Sequence, residues 1–472
     1  MTGIPTPNEA PIDIQKLVAV GNLIQNSIQA VVDEATKQRP RASSIPSWPI
    51  YEAQRTIISA TGALLELVSD PSMRLMEFSG QYWESRALAI AVAKRIPDLV
   101  GSSEQGVCLE EIAAKTGIEI GKLGRVLRCL CSAHIFQETR PDTFTNNRIS
   151  SALVGNESLR AYILMFHADL FSCAEHLPQT LFDADWGHSY DVRKTAFQRA
   201  LATTQSRWEW LEGGGAVPGK VDTAATALRR TNYPGIPGEE DGTKQSTGPR
   251  PELALFSMAM VGGGRVTARS HVEDYPWHEL GHETVVDIGG GVGGFMLELS
   301  QKYPQLNLVV QDCESNIELA KTKVWPAEGH AALEHGRVKF FAYDFFTPNP
   351  VNGAAVYWLR YILHDWADEY CLNILTNIRQ AMGPHSRLLV CEQVMDTTVQ
   401  ALTGTAPAPL PANYGVAKRY SHQRDLDVMA IINGIERTPA QFADLFDRAG
   451  LVLRKVWPCR SQVSILEVHR KV

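Results

Sequence analysis

A histidine, several acids and a run of glycines are the residues whose types and order could do chemistry in this chain. His364 stands in Leu359-Arg360-Tyr361-Ile362-Leu363-His364-Asp365-Trp366. An imidazole accepts a proton near neutral pH, and a phenol or alcohol must lose one before its oxygen can attack an electrophile. Glu392 ends the run LLVCE, and Glu436 lies in Asn433-Gly434-Ile435-Glu436-Arg437-Thr438. A carboxylate beside the imidazole would fix its tautomer and stabilise the imidazolium. The plainer reading of Glu436 is a surface charge or part of a helix cap, with Thr438 as N-cap.

The glycines run Asp287-Ile288-Gly289-Gly290-Gly291-Val292-Gly293-Gly294. They let a chain turn tightly and approach a ligand closely. Gly289, Gly291 and Gly294 also fit G-x-G-x-x-G, so by themselves they leave a dinucleotide and S-adenosylmethionine both open. Asp312, at the end of the next apolar run, can accept from a ribose of either cofactor. Two features favour S-adenosylmethionine. Asp287 precedes the glycines, where a carboxylate suits an amine or sulfonium and repels a pyrophosphate. Asp344 and Phe345 end a third run, where an acid and an aromatic ring suit an adenine; the plainer reading of Asp344 is a turn cap. The expected reaction is direct transfer: a hydroxyl oxygen attacks the methyl in line and the protein supplies alignment and proton removal. No metal is called for, and no metal-binding cluster presents itself in the sequence.

These residues need a sheet edge to bring them together. From about residue 283 the sequence alternates short β-rich runs (ETVVDI, LNLVVQD, RVKFFAYD, AAVYWLR, SRLLVCEQV) with helical segments. That alternation predicts a mostly parallel, doubly wound sheet with ligands at its carboxyl edge. The final runs, LVLRKVWPC and QVSILEVHR, lie too close together for a crossover and must form an antiparallel hairpin.

The preceding half reads differently. Residues 13–37 and 50–70 have helical periodicity, and 80–97 reads as a helix ending before Pro97. Residues 108–150 read as helix, turn at Gly117, helix, then two strands flanking Arg140-Pro141-Asp142, a winged-helix pattern. Its second helix is mostly apolar, which favours a dimerisation or structural role over DNA binding. Residues 213–250, rich in glycine, proline and charge, read as a flexible insertion between TAFQRALATTQSRWEWLE and RPELALFSMAMVGGGRV. The expected division is therefore 1–212, 213–250 and 251–472.

The whole has 472 residues, 44% hydrophobic and 21% charged, with net charge −7. That is ordinary for a globular protein of more than one domain and argues against a nucleic-acid partner. The eight cysteines form no C-x-x-C pair and read as buried free thiols of a reducing compartment. Neither a signal peptide nor a membrane span is expected, so the reading is a soluble, cytoplasmic protein.

DIGGGVGG, His364-Asp365-Trp366, the strand ending in Glu392 and the NG-x-ER element together, and in this order, resemble the plant-type caffeic acid O-methyltransferase family and its fungal relatives. The likeness is strong over 250–472 and weaker over 50–213. It implies a class I methyltransferase domain preceded by a helical and winged-helix dimerisation domain, hence a homodimer whose protomers lend residues to each other's sites. It implies catalytic roles for His364 as general base and for the flanking Glu392 and Glu436. The implied cofactor contacts are Gly289, Asp312, Asp344 and Phe345, joining Asp287 and Gly291. Arg360 stands where the family has a lysine. The implied substrate-binding residues are Phe256, Met260, Asp365 and Met429, and the implied acceptor is a phenolic secondary metabolite. Departures are the 213–250 insertion and the Pro/Ala-rich stretch TGTAPAPLPANYGVAKRYSHQ, expected near the acceptor pocket. The competing readings are a methyltransferase fold repurposed for dehydration or pericyclic chemistry, a nicotinamide-dependent oxidoreductase, and a winged-helix regulator.

Overall fold

The computed structural model describes residues 12–37, 45–213, 250–399 and 404–471, so nearly all of the expected insertion lies outside the described residues. The second half forms one seven-stranded sheet. Its strands are β4 (Thr284–Ile288), β5 (Asn307–Asp312), β6 (Val338–Ala342), β7 (Val356–Arg360), β8 (Arg387–Glu392), β9 (Leu451–Pro458) and β10 (Ser464–Arg470), in the order β6-β5-β4-β7-β8-β10-β9. The five strands from β6 to β8 are parallel, while β10 runs antiparallel to both β8 and β9. The expected hairpin therefore closes the sheet.

Strands β4, β7 and β8 are buried on both faces, as their unbroken apolar runs require. On one face Trp358 of β7 stacks on Phe295 at 4.5 Å, with Trp277 edge-on at 5.4 Å. On the other, Tyr357 and Leu359 meet Ile374, Leu375 and Ile378 of helix Asp368–Ala381 and Phe442, Leu445 and Phe446 of helix Pro439–Arg448. Adjacent β4 and β7 come from chain segments that wind in opposite directions, and a crevice opens at such a switch point beyond the carboxyl ends.

The winged-helix pattern holds. Helices Leu109–Thr116 and Ile120–Ser132 meet at Gly117, whose φ of 70° ends the first helix. Strands β1 (Val107–Cys108), β2 (Phe136–Arg140) and β3 (Thr143–Asn146) form an antiparallel sheet in the order β1-β3-β2. Leu123, Leu127 and Leu130 are fully buried, and Arg128 pairs with Glu138 and Asp142 of the wing. This second helix thus packs inward, with one of its three basic residues held in ion pairs.

Several local expectations are corrected. The helix of residues 80–97 ends at Ala93; Arg95 adopts φ 54°, and Pro97 sits in the first turn of a new helix, Ile96–Val100. A proline's missing N–H costs nothing there. Residues 195–212 form two helices, Ala196–Leu201 and Arg207–Leu211, because Ser206 and Glu209 make a capping box that starts the second. Helix Pro71–Gly80 was not anticipated. It buries none of its residues and exposes Met73, Leu75, Met76 and Phe78. Among the cysteines, Cys173, Cys371, Cys391 and Cys459 are buried, but Cys108 and Cys313 are exposed. The Pro/Ala-rich stretch spends Ala406, Leu410 and Tyr414 on packing against Val20, Ala60 and Ala63 of helices Ile14–Thr36 and Trp48–Val68. Among the described residues no helix is long and apolar enough to cross a membrane.

Helix Pro251–Asp274 joins the two halves by packing on helix Glu157–Phe166. A side chain at Gly262 would collide with the backbone of Ser158. A mid-helix glycine costs about 1 kcal/mol against alanine, and here it permits the close crossing.

Candidate active site

The glycine turn follows β4 at the crevice. Gly289 has φ 70° and Gly291 φ 60°, conformations that side chains rarely adopt. Gly289 and Gly290 donate to the Gln311 carbonyl at 2.9 and 3.1 Å, and Gly291 donates to Asp312 Oδ2 at 2.8 Å. Asp287 is buried directly beneath the turn, so that a side chain at Gly290 would collide with its carboxylate. Among the described residues Asp287 Oδ2 has no hydrogen-bond partner. Burial pushes this carboxyl up to about 7, against the pull of Arg360. An orphaned buried carboxylate at the lip of a cofactor crevice suits a cation and repels a pyrophosphate.

A cavity of about 450 Å³ opens beside the turn, lined by Gly289, Asp312, Cys313, Glu314 and the segment 342–346. Asp312 accepts from Gly291, Cys313 and Asn316, which fixes its carboxylate at the end of β5. Asp344 accepts from the Phe346 N–H at 3.0 Å, so it caps its own turn while lining the cavity. Phe345 stands there too, with Trp366 edge-on at 6.0 Å. Arg360 does not line this cavity. Its guanidinium lies 5.3 Å from the Phe295 ring centre, and its Nη1 is buried without a partner. The residues present therefore fit an adenosyl group attached to a cationic amino-acid tail.

The histidine loop is built from the second expected motif. Glu392, at the end of β8, accepts through Oε1 from the N–H groups of Ile362 and Leu363 at 3.0 and 2.9 Å. Ile435 N–H donates to the His364 carbonyl at 2.8 Å, and a side chain at Gly434 would strike that same carbonyl. Arg437, fully buried, donates to the carbonyls of Leu363 and Trp366 and pairs with Asp368, each at 2.8 Å. NG-x-ER is thus a brace: glycine for the close approach, Glu436 for the ring and Arg437 for the backbone around it.

Glu436 Oε1 lies 2.8 Å from His364 Nδ1, while Asp365 Oδ1 lies 3.4 Å from Nε2. The Glu436 N–H donates to Asp425 at 3.0 Å, which orients the glutamate. Burial pulls the His364 pKa down, but Glu436, Asp365 and Glu392 outweigh it and raise the pKa to about 10. Burial pushes Glu392 up to about 7, with His364 opposing. His364, Glu392 and Glu436, expected together from the resemblance, bring their nearest polar atoms within 4.8 Å of one another. Glu392 spends one oxygen on backbone amides and Glu436 one on the imidazole, an arrangement suited to holding and orienting a proton.

The expected acceptor residues are more scattered. Phe256 packs edge-on against Trp208 at 5.4 Å, under the Arg207 guanidinium at 5.1 Å. Met260 is exposed, and Met429 is half-buried on helix Arg419–Ile432. Sequence reasoning gave Arg437 no role, although it stands within the NG-x-ER element. It also missed two buried ion pairs, Arg207–Asp169 at 2.7 Å and Arg424–Asp427, which carry no periodic or motif signal.

Comparison with known proteins agrees with this geometry. Residues 243–452 match the O-methyltransferase domain family, and residues 76–156 match the O-methyltransferase dimerisation domain. O-methyltransferase gedA of Aspergillus terreus (strain NIH 2624 / FGSC A1156) is 49% identical, over 97% of this chain and 97% of its own. Among solved structures, CalO1, a methyltransferase in calicheamicin biosynthesis in its SAH-bound form, aligns with TM-score 0.63 at 24% identity over 85% of this chain and 99% of its own. A structure described as a pericyclic reaction enzyme aligns with TM-score 0.66 at 22% identity over 97% of this chain and 100% of its own. At such identity these structural likenesses speak for the fold. The relative at 49% identity is named an O-methyltransferase, so the repurposed reading is not favoured.

Proposed function

The chain belongs to the S-adenosylmethionine-dependent O-methyltransferase family, with that family's dimerisation domain, and from this premise we propose that it methylates a phenolic hydroxyl of an aromatic secondary metabolite, with His364 as the base. The supporting observation is the buried His364–Glu436 pair at 2.8 Å, on the loop that follows β7 at the cofactor crevice. When bound, the cofactor supplies an electrophilic methyl on a sulfonium.

The chain's own residues do the rest. Asp287 would hold the cationic amino-acid end, and Arg360, whose buried Nη1 lacks a partner among the described residues, would answer its carboxylate. Asp312 would take the ribose hydroxyls, and Asp344 with Phe345 the adenine. Gly289 and Gly291 let the backbone come close. His364 receives the hydroxyl proton at Nε2, while Glu436 keeps Nδ1 protonated and the ring oriented. Glu392 acts through the backbone of Ile362 and Leu363, so it positions the base. The scattered apolar residues Phe256, Met260 and Met429 would each offer an aromatic acceptor a separate contact.

Incubation with labelled S-adenosylmethionine and a panel of phenols, alcohols and carboxylic acids tests this reading. Label should appear in phenol ethers, and His364→Ala should remove it while cofactor affinity is kept. Label only in aliphatic alcohols or esters, or equal loss of turnover and cofactor affinity in His364→Ala, would overturn it.

A further inference from the structure

We propose that Asp365 and Glu436 hold His364 as an imidazolium in the cofactor-free enzyme, and that His364 releases its proton to solvent when the cationic cofactor loads, before any acceptor arrives. The proposal rests on the reading above, in which His364 deprotonates the hydroxyl that attacks the sulfonium's methyl.

Both ring nitrogens face carboxylates, Nδ1 at 2.8 Å from Glu436 and Nε2 at 3.4 Å from Asp365. Among the described residues only Nδ1 is hydrogen-bonded, to Glu436; a neutral ring donating there would turn the Nε2 lone pair toward the Asp365 carboxylate, whereas the imidazolium meets both acids with positive charge. The ring is 6% exposed, so solvent does little to screen the clash. The remaining neighbours reinforce this balance. Glu392 adds a third carboxylate from β8. Helix Arg419–Ile432 presents Asp427 and Arg424, which pair with each other, and helix Arg207–Leu211 presents Arg207, which pairs with Asp169. These two pairs are internally neutral; burial raises the pKa of Asp365, with His364, Arg424 and Arg207 opposing, and Glu436, Asp365 and Glu392 are the acids that act on the ring. They raise its pKa to about 10 despite burial.

In that state Nε2 has no lone pair for an acceptor hydroxyl. The cofactor turn and the histidine loop are in contact, since a side chain at Gly289 would come within 2.5 Å of Ile362 Cδ1. A cation held at this turn disfavours an imidazolium on the adjoining loop. The Nε2–H bond breaks, its electron pair stays on nitrogen, and the proton passes to the buffer. His364 is then the base that the reaction requires. Methyl transfer consumes the sulfonium charge, and the same acids stabilise the imidazolium formed by the acceptor's proton. Asp365 is therefore a positioning residue, acting through His364.

Calorimetric titration with S-adenosylmethionine and with S-adenosylhomocysteine, in buffers of different ionisation enthalpy, counts the protons released. At pH 8.5 Glu392, at about 7, has already lost its proton, while His364, at about 10, still carries its own. The wild-type protein should release up to about one proton more with the sulfonium than with the thioether. His364→Gln retains any contribution from the ligands' own amines and should lose the rest of that difference. Asp365→Asn should shrink the difference while keeping cofactor affinity. An equal difference in wild type and His364→Gln overturns the proposal, and an undiminished one in Asp365→Asn removes Asp365 from it. Methylation of the phenol panel without differential proton release refutes this inference alone. Differential release without phenol methylation refutes the proposed function instead.

Discussion

Replacing Glu436 by glutamine keeps the shape of the side chain and removes one negative charge 2.8 Å from His364 Nδ1. Two unit charges about 4 Å apart at an effective dielectric of ~20 interact by about 4 kcal/mol. The amide oxygen still accepts a hydrogen bond, so a net loss of roughly 2 kcal/mol for the imidazolium is expected. At 1.36 kcal/mol per pH unit, that lowers the His364 pKa by about 1.5 units. Because this pKa is raised from 6.5 to about 10 on folding, the charged ring contributes stability fully below pH 6.5 and loses it as pH rises through 10. The Tm deficit of Glu436→Gln should therefore be largest in acid and shrink toward pH 10. In kcat/KM for the acceptor, measured with saturating cofactor, the acidic limb should move down by about 1.5 units. The plateau should fall about 10- to 100-fold as the ring loses its orientation. A limb that stays in place or moves up, or a Tm deficit independent of pH, would refute the assignment of Glu436 to the imidazole.

Asp287→Asn should weaken S-adenosylmethionine binding about 10- to 100-fold by titration, through loss of one desolvated charge contact. Wild-type affinity should rise with pH through about 7, where Asp287 ionises, and the variant should be flat across that range. Gly262→Val should cost more than 2 kcal/mol in denaturant unfolding, since its side chain meets the Ser158 backbone; a neutral change would mean the two helices can separate freely. Leu75→Glu with Met76→Glu should leave the monomer folded and dissociate the homodimer in size-exclusion chromatography, because among the described residues helix Pro71–Gly80 buries nothing within its own chain. Deleting residues 215–249 should leave a folded, cofactor-binding protein, as the Arg250 N–H already meets the Leu211 carbonyl at 3.0 Å and the gap is short; loss of cofactor binding would show that the insertion is needed.

The sequence by itself determined the sheet and what stands at its edge. Apolar runs such as VVDI and VYWL are local signals of doubly buried strands, and short spacing forced the final hairpin. The glycines, His364 and the NG-x-ER element could be named because each carries its chemistry within a few residues. Helix ends were less legible: Arg95 and Ala202 adopt positive φ, which no residue pattern announced. What only the tertiary structure decided is which acid touches which atom. Glu392 and Glu436 looked alike as carboxylates flanking a histidine, yet one bonds the backbone of the loop and the other bonds the ring. Asp365 was expected at the acceptor, and its carboxylate stands beside Nε2. The buried pairs Arg207–Asp169 and Arg424–Asp427 lay unseen because charge partners distant in sequence leave no periodicity. The reason is physical. Secondary structure is encoded by near neighbours, whereas the protonation state of His364 is set by acids delivered from separate strands and loops, whose distances exist only once the chain has folded.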